Sequence, residues 1–218
     1  MASETVENYL KALFNLSNEE GEVNISELSA TLEVSKPTAN SMVKNLQQQG
    51  WVAYEKYKPL KLTASGQKAA ALIIRKHRLT EMFLVENMGF GWEEVHEIAE
   101  QVEHIQAPAL FDRMDELMEY PKVDPHGSPI PDKEGNIISQ NHIQLSECQP
   151  GDEVTLIALS HSSKEFLEFL DSRNISLETQ MTVQSIESFD QSMTVSYEGH
   201  PTEMLSQKVC EQLLVKKL

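Results

Sequence analysis

Residues 25–63 constrain the fold more tightly than any other stretch. The run ISELSATLEVSKPTANSMVKNLQQQGW holds two short amphipathic segments separated by Glu33-Val34. Ser26 is placed to cap a helix over 27–32. Ser35 is placed to cap a second that has Pro37 in its first turn and runs to about Gln49. Leu28, Leu32, Val34, Ala39, Val43 and Leu46 fall where the two helices would share a core, and Gly50 ends the second. The next stretch, WVAYEKYKPLKLT (51–63), is aromatic and β-branched and is broken at Lys58-Pro59, which predicts a two-stranded hairpin. Two helices around a short turn, followed by a basic hairpin, make a winged helix-turn-helix.

The charge distribution gives that module a direction. The whole chain of 218 residues carries -16, which taken alone argues against nucleic acid. Residues 1–80 nevertheless hold ten Lys/Arg against eight Asp/Glu, and residues 35–78 hold nine against the single Glu55. A duplex would be drawn to one end of an acidic body. A lysine-rich face with no partner would show the same charge pattern.

Around this module the periodicity predicts further helices. Val6, Tyr9, Leu10, Leu13, Phe14 and Leu16 mark a first helix over 4–17. Thr63 caps a long helix from Ala64 to Val85 or beyond, with Gly66 near its start. Helices over 92–106 and about 108–119 follow. Their apolar residues exceed what one thin layer needs and suit a subunit interface. Segment 120–136, with four prolines and two glycines, reads as a linker. Beyond Leu145 alternating strands and a short acidic helix near 163–171 suggest a β-barrel of about 75 residues. The boundaries expected are thus a DNA-binding domain over 1–63, a helical metal-binding and dimerisation domain over 64–140, and a β-domain over 141–218. No run approaches the roughly 18 apolar residues of a membrane span, and the N-terminus lacks the basic start of a signal peptide. Cys148 and Cys210 read as reduced packing thiols of a cytoplasmic protein.

The densest chemical signal is HEIAEQVEH (96–104). Glu100, Glu103 and His104 fall at i+4, i+7 and i+8 from His96, on one helix face. His77 and Glu81 form an i,i+4 pair upstream. Nitrogen and oxygen donors without thiolate suit Mn²⁺ or Fe²⁺ and, less selectively, Zn²⁺ or Co²⁺. On the residues alone this stripe is either a metal site or a solvated face, and His77, inside RKHR, could instead face phosphates. Neither H-E-x-x-H, a Gly-rich phosphate loop nor G-x-S-x-G is present, so no hydrolase motif competes. The residues alone also leave room for a metal-independent winged-helix regulator, or for a metal-binding protein that does not use DNA.

Several blocks together resemble the iron- and manganese-dependent repressor family named for the diphtheria toxin repressor. They are SxxxANSMVKNLQQQGWV, LTASGQKAA, RKHRLTEMFL, VHEIAEQVEHI and PHGSPIP, in that order. The resemblance implies a homodimer that binds palindromic operator DNA when loaded with Fe²⁺ or Mn²⁺, repressing metal-uptake genes. It also implies an SH3-like (FeoA-type) C-terminal domain. It further implies two metal positions: a primary one at Asn8, Glu100, Glu103 and His104, and a second at His77, Glu81 and His96, completed by Glu165. Three residues depart from the family pattern. Asn8 stands where relatives carry Asp or Met, with Glu7 beside it as a substitute. Glu100 stands where iron-type members have Cys, which leans the site toward Mn²⁺. Lys11 stands where some manganese-type members carry an acid, which argues against a closely paired two-ion arrangement. For DNA, Ser35, Pro37, Thr38, Asn40 and Ser41 lie where base edges are reached, and Ser35 doubles as the cap. Lys36, Lys44, Lys56, Lys58 and Lys61 are placed for phosphates.

Overall fold

The structure is a computed structural model that describes residues 3–55, 58–138 and 140–218. Helix α1 (Glu4–Leu16) is capped by Ser3, whose hydroxyl accepts from Val6 N–H, and it buries Val6, Tyr9, Leu10 and Leu13. After β1 (Glu22–Val23) come α2 (Ile25–Thr31) and α3 (Lys36–Gln48). The expected cap at Ser26 is not formed. Asn24 takes the cap position without a side-chain bond, and the helix starts two residues earlier than a cap at Ser26 would allow. Ser35 does cap α3, accepting from Thr38 N–H at 3.2 Å. Between the two helices Glu33 adopts φ 52°, the left-handed turn that lets Val34 N–H reach Ser29 O.

The hairpin strands β2 (Val52–Ala53) and β3 (Leu60–Leu62) pair antiparallel, and β1 adds to the far side of β3 to give the order β1-β3-β2. The two-stranded wing expected from sequence is therefore three-stranded, because Glu22-Val23 is too short to register as a strand without its partner. Leu28, Ala39, Val43, Leu46, Val52 and Leu60 share one core with α1.

Helix α4 (Ala64–Met88) begins as expected, with Thr63 Oγ1 accepting from Gly66 N–H at 3.1 Å. Gly66 is required there rather than tolerated: a Cβ at this position would stand 2.0 Å from Trp51 O. Helix α5 (His96–Val102) and helix α6 (Pro108–Leu117) are shorter than expected. A turn closed by Glu94 N–H to Gly91 O precedes α5. Pro108 disfavours helical backbone at Ala107, so the chain cannot continue through to α6.

The chain divides into two bodies. One comprises Met1–Thr80, Glu97–Lys122 and Ile130–Ile138; the other comprises Glu81–His96, Val123–Pro129 and Ser139–Leu218. In the first, buried Arg75 donates to Pro131 O at 2.7 Å and pairs with buried Asp115. In the second, strands β4 (Ile143–Gln144), β5 (Glu153–Leu159), β6 (Gln180–Ile186), β7 (Met193–Tyr197), β8 (His200–Leu205) and β9 (Leu213–Lys217) form one antiparallel sheet. Its order is β4-β9-β5-β6-β7-β8. Bulges in β5, β6 and β7 bend the strands around their core. Helix α7 (Lys164–Asp171), capped by Ser163, follows β5, and the short α8 (Gln207–Cys210) precedes β9. Cys148 and Cys210 are free and buried in this core, and burial pushes the Cys210 thiol up to about 12.

The proline-rich segment read as a linker is folded over part of its length. Val123 bridges Pro129, and Asp124 Oδ1 accepts from the N–H groups of His126 and Ser128. Gly127, at φ 85°, passes so close to β5 that a Cβ would stand 2.2 Å from Ile157 O.

Candidate metal centres and nucleic-acid interface

In the first body, α1, α4 and the end of α5 bring a dense set of ionisable groups together. Glu103 is fully buried just beyond α5. Its Oε2 lies 2.6 Å from His77 Nδ1, and Lys11 Nζ lies 2.9 Å from Oε2 and 2.8 Å from Oε1. Lys76 donates to its carbonyl. Burial works to raise the Glu103 pKa, but the hydrogen bond from His77 and the charge of Lys11 outweigh it and hold the group below the usual carboxylate range. Lys11 also reaches Glu100 Oε1 at 2.5 Å. His104 Nδ1 meets Glu7 Oε2 at 2.7 Å, and its Nε2 lies 3.8 Å from Glu103 Oε1.

This set fits a hard divalent ion. Three carboxylates and two imidazoles supply oxygen and nitrogen donors without sulfur. Among the described residues, the buried Asn8 Oδ1 and Glu103 Oε1 make no hydrogen bond. Buried polar atoms are rarely left so unless something else satisfies them. Of the four residues expected at the primary position, Glu103 and His104 meet directly and Lys11 links Glu100 to them. On α1, however, the residue touching His104 is Glu7, the stated substitute for Asn8. His77, expected at the second position, faces Glu103.

In the second body, the buried carboxylate of Glu81 on α4 lies 3.2 Å from His96 Nδ1 and 3.8 Å from His126 Nδ1. Ligating atoms of Glu81, Asp124 and His126, all buried, lie within 4.8 Å of one another. His126 Nε2 stands 2.9 Å from Trp92 O, an acceptor, so that nitrogen is the donor there and Nδ1 is the one turned toward Glu81. The rings of Trp92 and His126 stack, and the indole N–H donates to Asp171 at 3.0 Å. Glu165 is exposed in the first turn of α7 and, among the described residues, is not part of this group. Sequence reasoning missed Asp124 and His126. The signal was present in Asp124-Pro125-His126, a metal-competent pair inside a segment whose prolines and glycines read as spacer.

On the outer face of α3, Ser35, Lys36, Pro37, Thr38, Ser41 and Lys44 are exposed. Asn40 is half-buried and committed within the fold. Its amide donates to Lys36 O, and its Oδ1 accepts from the Tyr54 hydroxyl at 3.1 Å. The Ser35 and Thr38 hydroxyls bond each other at 2.8 Å. Among the described residues, no ion pair involves Lys36 or Lys44, whereas Lys58 pairs with Glu55 and Lys61 with Glu22. Lys56 lies outside the described residues. Arg75, counted with the basic residues by sequence, is turned inward.

Comparison with known proteins converges on one class. Residues 1–60 match the model of an iron dependent repressor N-terminal DNA binding domain. Residues 63–132 match an iron dependent repressor metal binding and dimerisation domain, and residues 143–217 match a FeoA domain. A solved manganese-dependent transcriptional repressor complex with manganese superposes with a TM-score of 0.89 at 31% identity, over 98% of this chain and all of that one. The HTH-type transcriptional regulator MntR of Oceanobacillus iheyensis is 30% identical over 124 residues, 57% of this chain and 84% of its own length. The iron-dependent repressor IdeR of Mycobacterium leprae is 33% identical over 128 residues, 59% of this chain and 56% of its own length. The chain belongs to the family of iron- and manganese-dependent transcriptional repressors.

Proposed function

We propose that this protein represses transcription of metal-uptake genes by binding palindromic operator DNA as a homodimer when loaded with Mn²⁺, with Fe²⁺ as the alternative effector. Zn²⁺ and Co²⁺ are substitutes in vitro. The observation that carries the reading is the pairing, in one chain, of two carboxylate–imidazole clusters with an α3 whose exposed lysines are uncommitted. Glu7 or Asn8, His77, Glu100, Glu103 and His104 would hold an ion in the first body. Glu81, His96, Asp124 and His126 would hold one in the second, with Asp124 and His126 in the place sequence reasoning gave Glu165. A bound ion supplies positive charge that offsets converging carboxylates and ties together elements distant in sequence.

The remaining work is done by the chain itself. Glu7 on α1 meets His104 beyond α5, so the first cluster spans the DNA-binding module and the helices that follow it. Fixing that span sets where α3 is carried, and a dimer needs its two α3 helices about 34–36 Å apart to enter successive major grooves. Lys36 and Lys44 then contact phosphate, while Thr38 and Ser41 face base edges. The family's members are named as repressors, which fits a regulator rather than an enzyme. Among the described residues no helix is long and apolar enough to cross a membrane, and action on DNA places the protein in the cytoplasm.

Fluorescence anisotropy on a labelled duplex containing the operator, with metal-stripped protein titrated with Mn²⁺, anaerobic Fe²⁺ or Zn²⁺ at fixed salt, tests the reading. Tight binding is expected only with metal, and the activation midpoints rank the ions. Equal affinity with and without metal would sink it.

A further inference from the structure

The first cluster already contains a cation. Lys11 Nζ lies within 2.9 Å of three carboxylate oxygens, one from Glu100 and both from Glu103. Two of these contacts, to Glu100 Oε1 and Glu103 Oε2, are hydrogen bonds, and the one to Glu103 Oε1 is an ion pair alone. An exposed lysine between two acids would be worth little. Here the Lys11 side chain is 13% exposed and that of Glu103 is 0% exposed, so the attraction is poorly screened and neither partner can turn to water instead. The pairing joins residues 92 positions apart, so it bridges α1 to the segment beyond α5.

We propose that Lys11 is the resident cation of this site: a tethered ammonium that holds α1 to the α5 end in the metal-free protein and competes with a divalent ion for Glu100 and Glu103. The inference rests on reading the cluster as a metal centre. An entering ion must displace the ammonium from at least one carboxylate or sit beside a like charge, and either route weakens its binding. The Glu81–Asp124–His126 group has His126 oriented in advance by Trp92. The two centres therefore fill in order, that group first and the Lys11 cluster second. The cluster takes one ion, since a second would meet both the first ion and the ammonium.

The test is a Mn²⁺ titration of the metal-stripped full chain, with free Mn²⁺ followed by electron paramagnetic resonance and thermal melts recorded with and without the ion. The wild-type protein should show two unequal sites per chain, the weaker one removed by Glu103→Gln. Lys11→Met removes a unit charge a few ångströms from the ion and should tighten the weaker site by at least about tenfold, leaving the tighter one unchanged. Without metal it should melt below the wild type, and Mn²⁺ should recover more stability than in the wild type. Lys11→Gln keeps a donor toward Glu103 with less disturbance to the fold and must shift the weaker site in the same direction. Lys11→Arg, which keeps the charge, should bind as the wild type does. Isotherms of Lys11→Met and Lys11→Gln that superpose on the wild type, or that show weaker binding, overturn the role of Lys11 while leaving the metal centre standing. A wild-type chain that binds no Mn²⁺ overturns the centre, and this proposal with it.

Discussion

Replacing Lys44 with Gln separates the two kinds of lysine around α3. Lys44 is exposed and, among the described residues, pairs with no acid, so nothing is given up when it meets a phosphate. Each lysine–phosphate contact contributes about 0.9 to the slope of log K against log salt. A dimer carries two copies, so Lys44→Gln should lower the slope by about 1.8, which is roughly sixtyfold in affinity at about 0.1 M salt and almost nothing near 1 M. Lys61 is different. It sits 3.0 Å from Glu22 and also donates to Glu20 O, so a phosphate contact costs it two existing partners and leaves Glu22 facing the duplex. Its replacement should move the slope by less than half as much. The assay is anisotropy on operator DNA with saturating Mn²⁺ across a salt series, run for the wild type, Lys44→Gln and Lys61→Gln. An unchanged slope for Lys44→Gln, or equal slopes for the two variants, would refute the distinction between free and committed lysines.

Thr38→Ser removes a methyl on the exposed face of α3 while keeping the hydroxyl that bonds Ser35. It should narrow the ratio of operator to random-duplex affinity by about 1–3 kcal/mol per affected base pair without moving the salt slope, as competition titrations would show. His126→Ala should abolish the tighter Mn²⁺ site. In a Trp51→Phe background it should also abolish any metal-linked change in Trp92 emission, because the two rings stack at 6.0 Å; a surviving emission change would mean that Trp92 reports on something else. Gly66→Ala forces a methyl into Trp51 O and should cost about 1–3 kcal/mol or more in a urea melt, whereas an unchanged midpoint would show that the wing can slide away from α4.

The helix-turn-helix was legible because its determinants are local. A serine, a proline two residues on and an apolar stripe suffice to place α3, and Thr63 does the same for α4. The errors lie where a local signal had a competitor. Ser26 looked like a cap, but Asn24 sits at the end of the extended β1 segment and claims the position. The helix drawn through 92–106 had the right apolar spacing, yet the turn at Gly91–Glu94 delays its start and it ends at Val102, before the restriction at Pro108 is reached. The sites were harder. Periodicity found His96, Glu100, Glu103 and His104 because they share one short segment. It could not find Asp124 or His126, whose partner Glu81 lies over 40 residues away and whose own segment is irregular. Lys11 stood out only as a departure from the family pattern; its bond to Glu100, 89 residues distant, is a property of the fold.

The two clusters differ in what their donors are doing before an ion arrives. His126 is held by the Trp92 carbonyl and by stacking, and Asp124 closes a turn through two backbone N–H groups, so both are positioned in advance. Donors held this way lose little freedom on binding, and that favours early occupancy. Glu103 is already compensated by Lys11 and His77, so an ion there must exchange one set of partners for another. The net gain is smaller and the threshold correspondingly higher. A regulator has to respond within the range over which its metal varies, and a high-affinity site alone stays filled across that range. Weakening one centre with an internal ammonium while leaving the other preorganised gives the chain one ion that maintains its structure and one that reports a surplus. On this reasoning the concentration at which the repressor engages DNA is set by the second centre, and Lys11→Met should shift the DNA-binding midpoint to lower Mn²⁺ by the same factor as it tightens the weaker site.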